Sequence, residues 1–507
     1  MSLLAERLRP LPAVEVLAAD PEVRFALRAP DPAGATRHLA DALRAAGYGA
    51  LHLVEEGGRA AIAVDAASYA TAARVQAFAC AVLALGAVAA RGHAVPAAVV
   101  ASLRADGLPA YIGFAGLWRL EANGLEIPRL GPLLDARVAA NGADADALMD
   151  TATLLFLTLM PENRNAAFTY QRRALQVRQA YRLPARGEGA PLRLLSIAGP
   201  GDMTANTPVD CLLDDAPVEL TTLYLEPGRP LPAALPPHDA VFVAIGESAE
   251  SRALLERATP WTAGFAAPVL NRPERILQMS RERVAALLGG EPGVEMPATA
   301  PASREALAAV ASGARRIDEL LPQGAFPVIA RPVGSQGGKG LERLPDAAAL
   351  AGYLREAPEN EFYVARFVDY RSADGFYRKY RVVFVEGRPY ACHMAISQHW
   401  MIHYVNADMD ASEAKRAEEA RFLADFDSGF GARHAAALAR VHARLGLDYF
   451  GIDCAEAPDG RLLVFEADAA LLVHDLDPPD LYPYKGPQMR RIFGAFVEML
   501  RRAARRG

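Results

Sequence analysis

The chain has 507 residues, which is enough for about three or four compact domains. Hydrophobic residues make up 52% of the sequence and charged residues 22%, a balance that excludes a chain disordered throughout. The formal net charge is −6, and acidic and basic residues are spread along the whole length. This balance gives no electrostatic ground for expecting a nucleic-acid partner.

The cysteines and the apolar segments indicate a cellular compartment. Cys80, Cys211, Cys392 and Cys454 are far apart, lie in apolar runs and form no CxxC pair, so we interpret them as buried thiols of a reducing compartment. The first ten residues lack the apolar region of a signal peptide. The longest apolar run, 77–90, is shorter than the ~20 residues of a membrane span and predicts a buried helix. We therefore expect a cytoplasmic protein that does not contact membranes.

The first third of the chain predicts a small α/β unit without a recognisable catalytic motif. Its predicted elements are strands at 22–28, 50–54 and 59–64, a helix through Ala46, and a longer helix from near Ala66. We assign residues 1–147 to an N-terminal accessory domain. Recognition of a protein partner or formation of a homo-oligomer through residues 1–180 is a role open to such a region.

A helical segment follows this accessory domain. Residues 148–182 predict two helices, with a break at Pro161 and the second helix running from Ala166 to Tyr181. We find no second copy of this pair at a fixed period, so the sequence does not support a helical solenoid. The polar stretch that follows is rich in Gly and Pro and predicts a linker, which sets the segment at 148–189.

Alternating strands and helices between 190 and 275 predict an open, Rossmann-like sheet. The strands are expected at 192–198, 218–225 and 240–245, with 269–271 closing the unit. No GxGxxG motif follows any of these strands, so a dinucleotide site is not predicted. Ligands of open α/β sheets bind beyond the carboxyl ends of the strands. That rule makes the loops 199–207 and 246–248 candidates for substrate contact, through Asp202, Asn206, Glu247 and Ser248. Ser248 also has the position of a helix N-cap.

A glycine-rich loop is the clearest local motif. Residues 327–331 predict a strand that presents Arg331, and 334–340 contain four glycines among seven residues. Glycines allow backbone N–H groups to approach phosphate oxygens, and a basic residue supplies the opposite charge. The loop is not a Walker A motif, because Val333 and Gly340 occupy the positions that need Gly and Ser or Thr. Taken alone, such a glycine-rich loop is more often an ordinary hairpin between two strands.

Three acidic residues follow far downstream, on two strands joined by the tight turn at 458–460. Glu466 and Asp468 are two residues apart, so strand alternation places them on one face of the sheet. Asp453 lies on the neighbouring strand. Three oxygen ligands on a rigid sheet suit Mg²⁺ that bridges nucleotide phosphates. The alternative is a row of solvated acids, which the apolar neighbours Val464 and Phe465 disfavour.

Together these motifs resemble the ATP-grasp superfamily over about 190–500, most like the branch of the ribosomal-protein glutamate ligase and glutathione synthetase. The resemblance also includes 269–276, 280–283, 297–299, 361–368 and 379–387, in the expected order. It implies a multidomain protein of α/β and α+β class. Its domains would be a Rossmann-like pre-ATP-grasp domain at 190–275, a small ATP-grasp subdomain at 276–365 and a large one at 366–507, preceded by the α/β and helical N-terminal region.

The resemblance also implies roles for individual residues. ATP would be bound by Arg283, Arg331, Gly334, Ser335, Gln336, Gly337, Gly338 and Lys339, with Arg366, Phe367 and Val368 as the hinge around adenine. Arg381 and Arg331 would be catalytic: Arg381 would hold the reacting carboxyl or acyl phosphate, and Arg331 would neutralise the γ-phosphate. Asp453, Glu466 and Asp468 would hold Mg²⁺.

The sequence departs from the family pattern at several positions. Arg283 and Arg331 stand where the family usually has lysines; they keep the charge but donate hydrogen bonds in a different geometry. Asp468 stands where Asn is usual and adds negative charge. The segment 393–404 has no counterpart in the best-known members.

That segment contains His393, His399 and His403, and the last two are spaced to share a helix face. No acidic residue lies between them, so the HExxH metalloprotease motif is absent. Substrate binding, a metal site and an ordinary structural or surface role all remain open for these histidines.

The function implied by the resemblance is an ATP-dependent carboxylate–amine ligase. It would form an amide or peptide bond through an acyl phosphate, release ADP and phosphate, and use ATP and Mg²⁺ as cofactors. Its substrates would be a small-molecule or peptide carboxylate and an amine. Two alternatives are a phosphotransferase on the same scaffold and a non-catalytic nucleotide-sensing protein. The complete acidic triad argues against the sensor, which has no need of three metal ligands.

Overall fold

The computed structural model describes most of the chain. The described residues are 3–9, 11, 13–19, 22–69, 75, 78, 79, 81, 82, 85, 86, 89, 90, 111–122, 131, 134, 135, 137–139, and 141–506 except 188, 214, 215, 336, 337, 404 and 405. They divide into two compact units: residues 1–194, 200–203 and 213–224 form the first, and residues 195–199, 204–212 and 225–507 form the second. The domain boundaries inferred from the sequence stay predictions.

The first unit begins with a four-stranded antiparallel sheet. Its elements are α1 (Leu3–Leu8), β1 (Val14–Ala18), β2 (Glu22–Leu27), α2 (Pro32–Ala45), β3 (Leu51–Glu56) and β4 (Arg59–Asp65), with strand order β1-β2-β4-β3. Asp31 caps α2 by accepting a hydrogen bond from the Gly34 N–H. The predicted α/β unit is confirmed, and β1 is an additional strand.

Apolar side chains hold this sheet and its helices together. Leu39 and Leu43 of α2 pack with Phe25 and Ile62 of the sheet in one buried cluster. A short 3₁₀ turn, Ala66–Tyr69, lies where a long helix is predicted to start. The described residues between 75 and 89 are helical, and Phe78 joins the same cluster. The predicted buried helix is thus confirmed for those residues, whereas Cys80 lies outside the described part.

The later helices of the first unit correct one prediction. They are α3 (Phe114–Ala122), α4 (Ala145–Leu157) and α5 (Pro161–Val177). The second predicted helix was expected to continue to Tyr181, but the helix ends at Val177 and Tyr181 lies in β5 (Ala180–Leu183). The fully buried Tyr181 ring contacts Tyr111 and Tyr224. This packing and backbone pairing override a helical pattern that is only local.

The strands between 180 and 270 are divided between the two units, and their pairs are described within each unit. The next strands are β6 (Leu192–Ala198) and β7 (Val218–Tyr224), separated by α6 (Val209–Leu213), and β5 pairs with β7 in antiparallel fashion. In the second unit, β8 (Ala240–Val243) is followed by α7 (Ala249–Ala263) and β9 (Val269–Leu270), which is parallel to β8. The Ala244 N–H donates to the Ile197 carbonyl over 2.8 Å. The predicted strand-and-helix alternation is confirmed.

A smaller four-stranded sheet follows in the second unit. Its region contains α8 (Pro273–Ile276), α9 (Arg281–Leu288), β10 (Val294–Glu295), β11 (Thr299–Ser303), α10 (Arg304–Ala311), β12 (Val328–Pro332), β13 (Glu342–Leu344), α11 (Ala347–Glu356) and β14 (Glu361–Arg366). The strand order is β11-β14-β12-β13, and all pairs are antiparallel. Val328, Val364 and Phe362 form its buried face with Leu307 and Leu350 from α10 and α11.

A larger mixed sheet completes the second unit. Its elements are β15 (Tyr377–Val385), β16 (Arg388–Ser397), α12 (Glu413–Ala424), α13 (Phe430–Arg433), α14 (Ala435–Leu445), β17 (Tyr449–Glu456), β18 (Leu462–Asp468) and α15 (Lys485–Ala504). The strand order is β10-β18-β17-β15-β16, and only the β10–β18 pair is parallel. On β15, Tyr380 and Phe384 point towards the helices, so Lys379 and Arg381 point to the other face.

Two further expectations concern membranes and thiols. Among the described residues, no helix combines the length and apolar character that crossing a membrane requires. Cys211, Cys392 and Cys454 are buried free thiols, as predicted.

Candidate active site

Charged side chains form a row across four strands of the large sheet. His393 of β16 lies opposite Arg381 of β15, Arg381 lies opposite Asp453 of β17, and Asp453 lies opposite Glu466 of β18. Residues that are directly opposite on neighbouring strands point to the same face. Asp468 lies opposite Gly451, two residues from Asp453, so it belongs to the same face. The sheet therefore brings together residues that lie up to 87 positions apart, from Arg381 to Asp468.

Asp453 is the centre of this row. Arg381 donates to it from Nε over 2.7 Å and from Nη2 over 3.1 Å, and Lys379 Nζ donates over 3.0 Å. Only 4% of the Asp453 side chain is exposed. Burial alone would raise the pKa of Asp453, but Arg381 and Lys379 outweigh it and hold this pKa far below its usual range. The carboxylate is therefore ionised and serves as the anchor for two cations.

Lys379 belongs to the site, although it is not among the site residues predicted from the sequence. It is two residues from Arg381 on β15, so strand alternation places both cations on one face. The spacing of two residues from Arg381 is enough to predict that Lys379 belongs to the site, because the motif around Arg381 contains Lys379.

Glu466 has a cationic partner that is also absent from the site residues predicted from the sequence. Arg281, the first residue of α9, donates to Oε2 of Glu466. Burial tends to raise the pKa of Glu466, but Arg281 and Lys379 reverse the effect and lower it. Arg283 was the predicted phosphate ligand of this segment, yet its guanidinium is exposed and donates to the Leu277 carbonyl. A helix turns about 100° per residue, so only one of these two arginines can face the sheet.

Arg331 reaches the same group of charges from the smaller sheet. It lies on β12, and Arg281 and Glu466 are both close enough to affect its pKa. Burial and the neighbouring Arg281 lower the pKa of Arg331 to about 10. Its guanidinium donates to the hydroxyl of Ser335 over 3.1 Å and to the Ser335 carbonyl. The glycine-rich loop thus folds back onto the arginine that precedes it.

The loop itself needs glycine at particular positions. Gly334, Gly338 and Gly340 all have positive φ angles, between 67° and 76°. A Cβ atom at Gly340 would lie 2.8 Å from Cδ of Pro332, so no larger residue fits without a shift of the backbone. Lys339 is exposed. The predicted ligands Gln336 and Gly337 lie outside the described residues.

The loop at 246–248 belongs to the same unit and contributes an acidic residue. Glu247 is paired with Arg252 and lies near Glu282 and Asp468, and its burial raises its pKa. Asp468 is accessible to solvent, but its carboxylate is crowded by protein atoms and this desolvation raises its pKa too. Ser248 caps α7 in a capping box with Ser251, which confirms the N-cap prediction. Glu247 is thus near the acidic triad, whereas Ser248 has a structural task.

The two other residues predicted to contact substrate have partners of their own. The Asn206 side chain accepts from the Gly199 N–H and donates to the Gly199 carbonyl, each over 2.8 Å, so it bridges the ends of the 199–206 loop. Asp202 belongs to the first unit, where it forms an ion pair with Arg164 over 2.5 Å. Substrate contact stays a prediction for both.

The predicted adenine hinge follows β14. Arg366, its last residue, forms an ion pair with Glu295, and Arg343 lies over the ring of Phe367 at 4.2 Å. Phe367 also packs edge-on against Trp400, with ring centroids 5.6 Å apart. Val368 packs against the buried cluster around Tyr370 and Tyr377. Phe367 of the hinge thus lies beside the ring of Trp400 and the guanidinium of Arg343, groups that can stack on a planar base.

The histidine segment differs from the prediction. His399 and His403 were expected to share a helix face, but β16 continues to Ser397 and the backbone then bends without helix through His403. His393 lies within β16, in the row described above, and its burial and Arg381 keep its pKa well below the usual value. His403 is near Lys379 and Arg381, and burial and these cations lower its pKa. His399 is exposed. Strand alternation in β16 directs His393 to the charged face, whereas the i,i+4 spacing of His399 and His403 does not correspond to a helix.

Whether Mg²⁺ fits the acidic triad depends on the hydrogen-bond donors that already contact the three carboxylates. The three side chains offer only carboxylate oxygens, the donors that Mg²⁺ prefers. Both oxygens of Asp453 bind Arg381 or Lys379, and one oxygen of Asp468 accepts from the Ala470 N–H over 2.8 Å. In the described part of the chain, no three His, Cys, Asp or Glu side chains are arranged to hold a metal ion. Glu466, whose Oε2 accepts from Arg281, and Asp468 each keep one oxygen without a donor among the described residues, whereas Asp453 would have to share both oxygens with two cations.

No protein-family model matches the chain, and no curated protein matches it. Solved structures show limited similarity. The VanG D-Ala:D-Ser ligase of Enterococcus faecalis is 12% identical, with a TM-score of 0.38, over 61% of this chain and 99% of its own. A RimK domain ATP-grasp protein of Sphaerobacter thermophilus is 19% identical, with a TM-score of 0.36, over 61% and 99%. The D-alanine–D-alanine ligase of Coxiella burnetii is 12% identical, with a TM-score of 0.40, over 62% and 97%. At such TM-scores these similarities carry no argument about this chain.

Proposed function

We propose that this protein is an ATP-dependent carboxylate–amine ligase of the ATP-grasp type. The observation that carries the proposal is the position of Arg331, with its glycine-rich loop, beside Arg281 and Glu466. A loop suited to phosphates, two guanidinium groups and a carboxylate from different parts of the chain converge at one point. Such convergence suits a transferable phosphoryl group, whose charge must be neutralised on several sides.

Each residue has a specific task in this proposal. Arg331 and Arg281 bind phosphate oxygens, and the loop backbone at Gly338 closes over them. Arg381 uses Nε and Nη2 for Asp453, and within the described chain its Nη1 has no hydrogen-bond partner. That nitrogen orients the substrate carboxylate towards the γ-phosphate. Asp453 fixes the direction of Arg381 and Lys379 and thereby positions both cations.

Glu466 and Asp468, together with Asp453, would hold Mg²⁺, which supplies charge neutralisation between the nucleotide phosphates when it is bound. The carboxylate oxygen of the substrate attacks the γ-phosphorus, ADP leaves, and an acyl phosphate forms. The amine then attacks the acyl carbon, phosphate leaves and the nitrogen loses a proton. The phosphotransferase alternative ends after the first transfer, with the phosphoryl group on the product.

A labelled substrate distinguishes these outcomes. ADP release should first be screened over a set of carboxylates and amines. The carboxylate that supports ADP release should then be labelled with a heavy oxygen isotope at both of its carboxylate oxygens. A ligase transfers one labelled oxygen to free phosphate, because the acyl C–O bond breaks when the amine attacks. Mass spectrometry of the phosphate measures the transfer. Unlabelled phosphate would exclude the acyl phosphate, and phosphate retained on the product would favour the phosphotransferase.

Arg331 allows a second test that needs neither the carboxylate nor the amine substrate. We expect Arg331→Ala to weaken ATP binding on the order of a hundredfold, because a buried charge-assisted contact to phosphate is lost. Arg331→Lys should stay within about tenfold, since it keeps the charge. Calorimetry with ATP measures both, and Arg355→Ala, an exposed arginine of α11, is the matched control. Unchanged affinity in Arg331→Ala would show that the loop does not bind phosphates.

A further inference from the structure

The second unit contains a cavity of about 510 Å³ that the proposed ligase reaction does not use. Small-molecule sites in proteins have volumes of roughly 300–1,000 Å³, so a metabolite fits. The charged and aromatic side chains around it are Asp374, Arg378, Glu418, Glu456, Tyr370 and Tyr380.

This cavity is separated from the candidate active site by the strand β15. Arg378 and Tyr380 line the cavity, while Lys379 and Arg381, which alternate with them, bind Asp453. Successive side chains of a strand point to opposite faces of the sheet. The cavity therefore lies on the face of β15 that carries helix α12, and it is a separate site.

Tyr380 presents a hydroxyl group to this cavity. Its ring is fixed between Phe422 and Phe430, with centroid distances of 4.8 and 4.6 Å, and the residue is only 7% exposed. Within the described part of the chain, the Tyr380 hydroxyl has no hydrogen-bond partner. Burial and the nearby Glu456 raise the pKa of Tyr380, so the phenol stays protonated at neutral pH. A hydroxyl group in the lining of a cavity, with no partner among the described residues, can hydrogen-bond to a ligand that enters.

Glu456 is the second recognition group. Arg433 and His434 both bind its Oε1, at 2.9 Å each, and no described residue binds Oε2. The hydrogen bond from His434 and the contacts with Arg433 lower the pKa of Glu456, so it is ionised at neutral pH. Glu456 thus lines the cavity with one carboxylate oxygen held by the protein and the other without a donor among the described residues.

The charges of the lining select the sign of the ligand. Three carboxylates, those of Asp374, Glu418 and Glu456, face one guanidinium, that of Arg378. Arg378 binds both Asp374 and Glu418, over 2.7 Å at the closest oxygen of Asp374, and so holds these two groups in place. Arg433 already pairs with Glu456, so Asp374 and Glu418, which share the single guanidinium of Arg378, leave one negative charge that repels anions and attracts cations.

From these observations we propose that the cavity binds a small molecule with a primary ammonium group. The ammonium would donate hydrogen bonds to Oε2 of Glu456 and to the hydroxyl oxygen of Tyr380, two acceptors that the described chain leaves without donors. Asp374 and Glu418 attract a second positive charge, and the ring of Tyr370 provides an apolar wall for the carbon chain. An aliphatic diamine has this chemistry.

Calorimetry with cadaverine tests the site on the full chain without nucleotide, so the result does not depend on ligase activity. We expect binding that weakens with added salt, and no binding of the uncharged pentane diol of matching length. Tyr380→Phe removes one hydroxyl from a fixed ring and should weaken cadaverine about tenfold. Glu456→Gln removes the facing charge and should weaken it by more than that. Tyr390→Phe, on the adjacent strand and outside the lining, is the matched control and should bind as the unaltered chain does.

Three outcomes would overturn the proposal: no binding of cadaverine by the unaltered chain, equal binding of the diol, or equal affinity in Tyr380→Phe and Tyr390→Phe. Circular dichroism of Glu456→Gln shows whether its fold is retained. If the fold of Glu456→Gln is lost, the affinity of Tyr380→Phe alone decides the proposal, because this variant keeps the ring contacts with Phe422 and Phe430.

Discussion

Glu466→Gln should reduce ADP release on the order of a thousandfold, which corresponds to about 4 kcal/mol of transition-state stabilisation. Gln keeps the size of the side chain but removes its charge. Arg281, which donates to Glu466 in the structure, would then face a neutral amide. Both the proposed metal and Arg281 would lose their partner, so the phosphoryl group would be poorly neutralised.

Steady-state ADP release and ATP binding should be measured together on this variant. We expect turnover to fall much more than the affinity for ATP, because the charge of Glu466 matters most in the transition state. Asp468→Ala should show a loss of the same kind. Asp459→Asn, in the exposed turn between β17 and β18, is the matched control and should be fully active. Near-normal turnover in both Glu466→Gln and Asp468→Ala would contradict the assignment of the acidic triad.

Arg381→Met should abolish activity and also reduce the free energy of unfolding by about 3–5 kcal/mol, because it breaks a buried ion pair and leaves Asp453 with one cation instead of two. Asp453 is 4% exposed, so water cannot replace the lost guanidinium. Urea unfolding measures the stability. Arg388→Met is the control, because its contact with Asp427 is exposed and at 3.9 Å, and such pairs contribute only about 0–1 kcal/mol.

The pH dependence gives this prediction a second measurement. The folded-state pKa of Asp453 is depressed, so its ionised form stabilises the fold above the ordinary carboxyl pKa of about 4. That contribution disappears as pH falls through the folded-state pKa. Arg381→Met should therefore lose stability mainly above about pH 4 and approach the unaltered chain in strong acid. A constant difference at all pH values would indicate lost packing rather than lost charge compensation.

The sequence predicted the parts of the fold that depend on local patterns. Alternation located β17 and β18 and placed Glu466 and Asp468 on one face, and the serine before α7 marked its N-cap. Tyr181 was assigned to a helix because its burial between Tyr111 and Tyr224 depends on distant residues. The end of a helix is decided by such tertiary contacts, which a local window does not contain.

The same limit explains which site residues were found. Arg331 and the acids belong to recognisable local patterns, and Lys379 was within reach of the alternation rule. Arg281 was passed over for Arg283 because only the direction in which α9 packs decides between them. The strand pairing that places His393 beside Arg381 is likewise a property of the folded sheet. Partners across strands follow from register, and register is set by the whole sheet.

The strand β15 has a consequence for which changes in the sequence the protein can tolerate. Its alternating residues supply two unrelated sets of contacts, Lys379 and Arg381 to Asp453 and Arg378 and Tyr380 to the cavity. Substituting one residue alters one set and leaves the other in place. Inserting or deleting one residue at the start of the strand would exchange the two faces. Arg378 and Tyr380 would then point to Asp453, and Lys379 and Arg381 would point to α12. Point substitutions can thus modify each site separately, whereas the insertion or deletion of a single residue would disrupt both sites together.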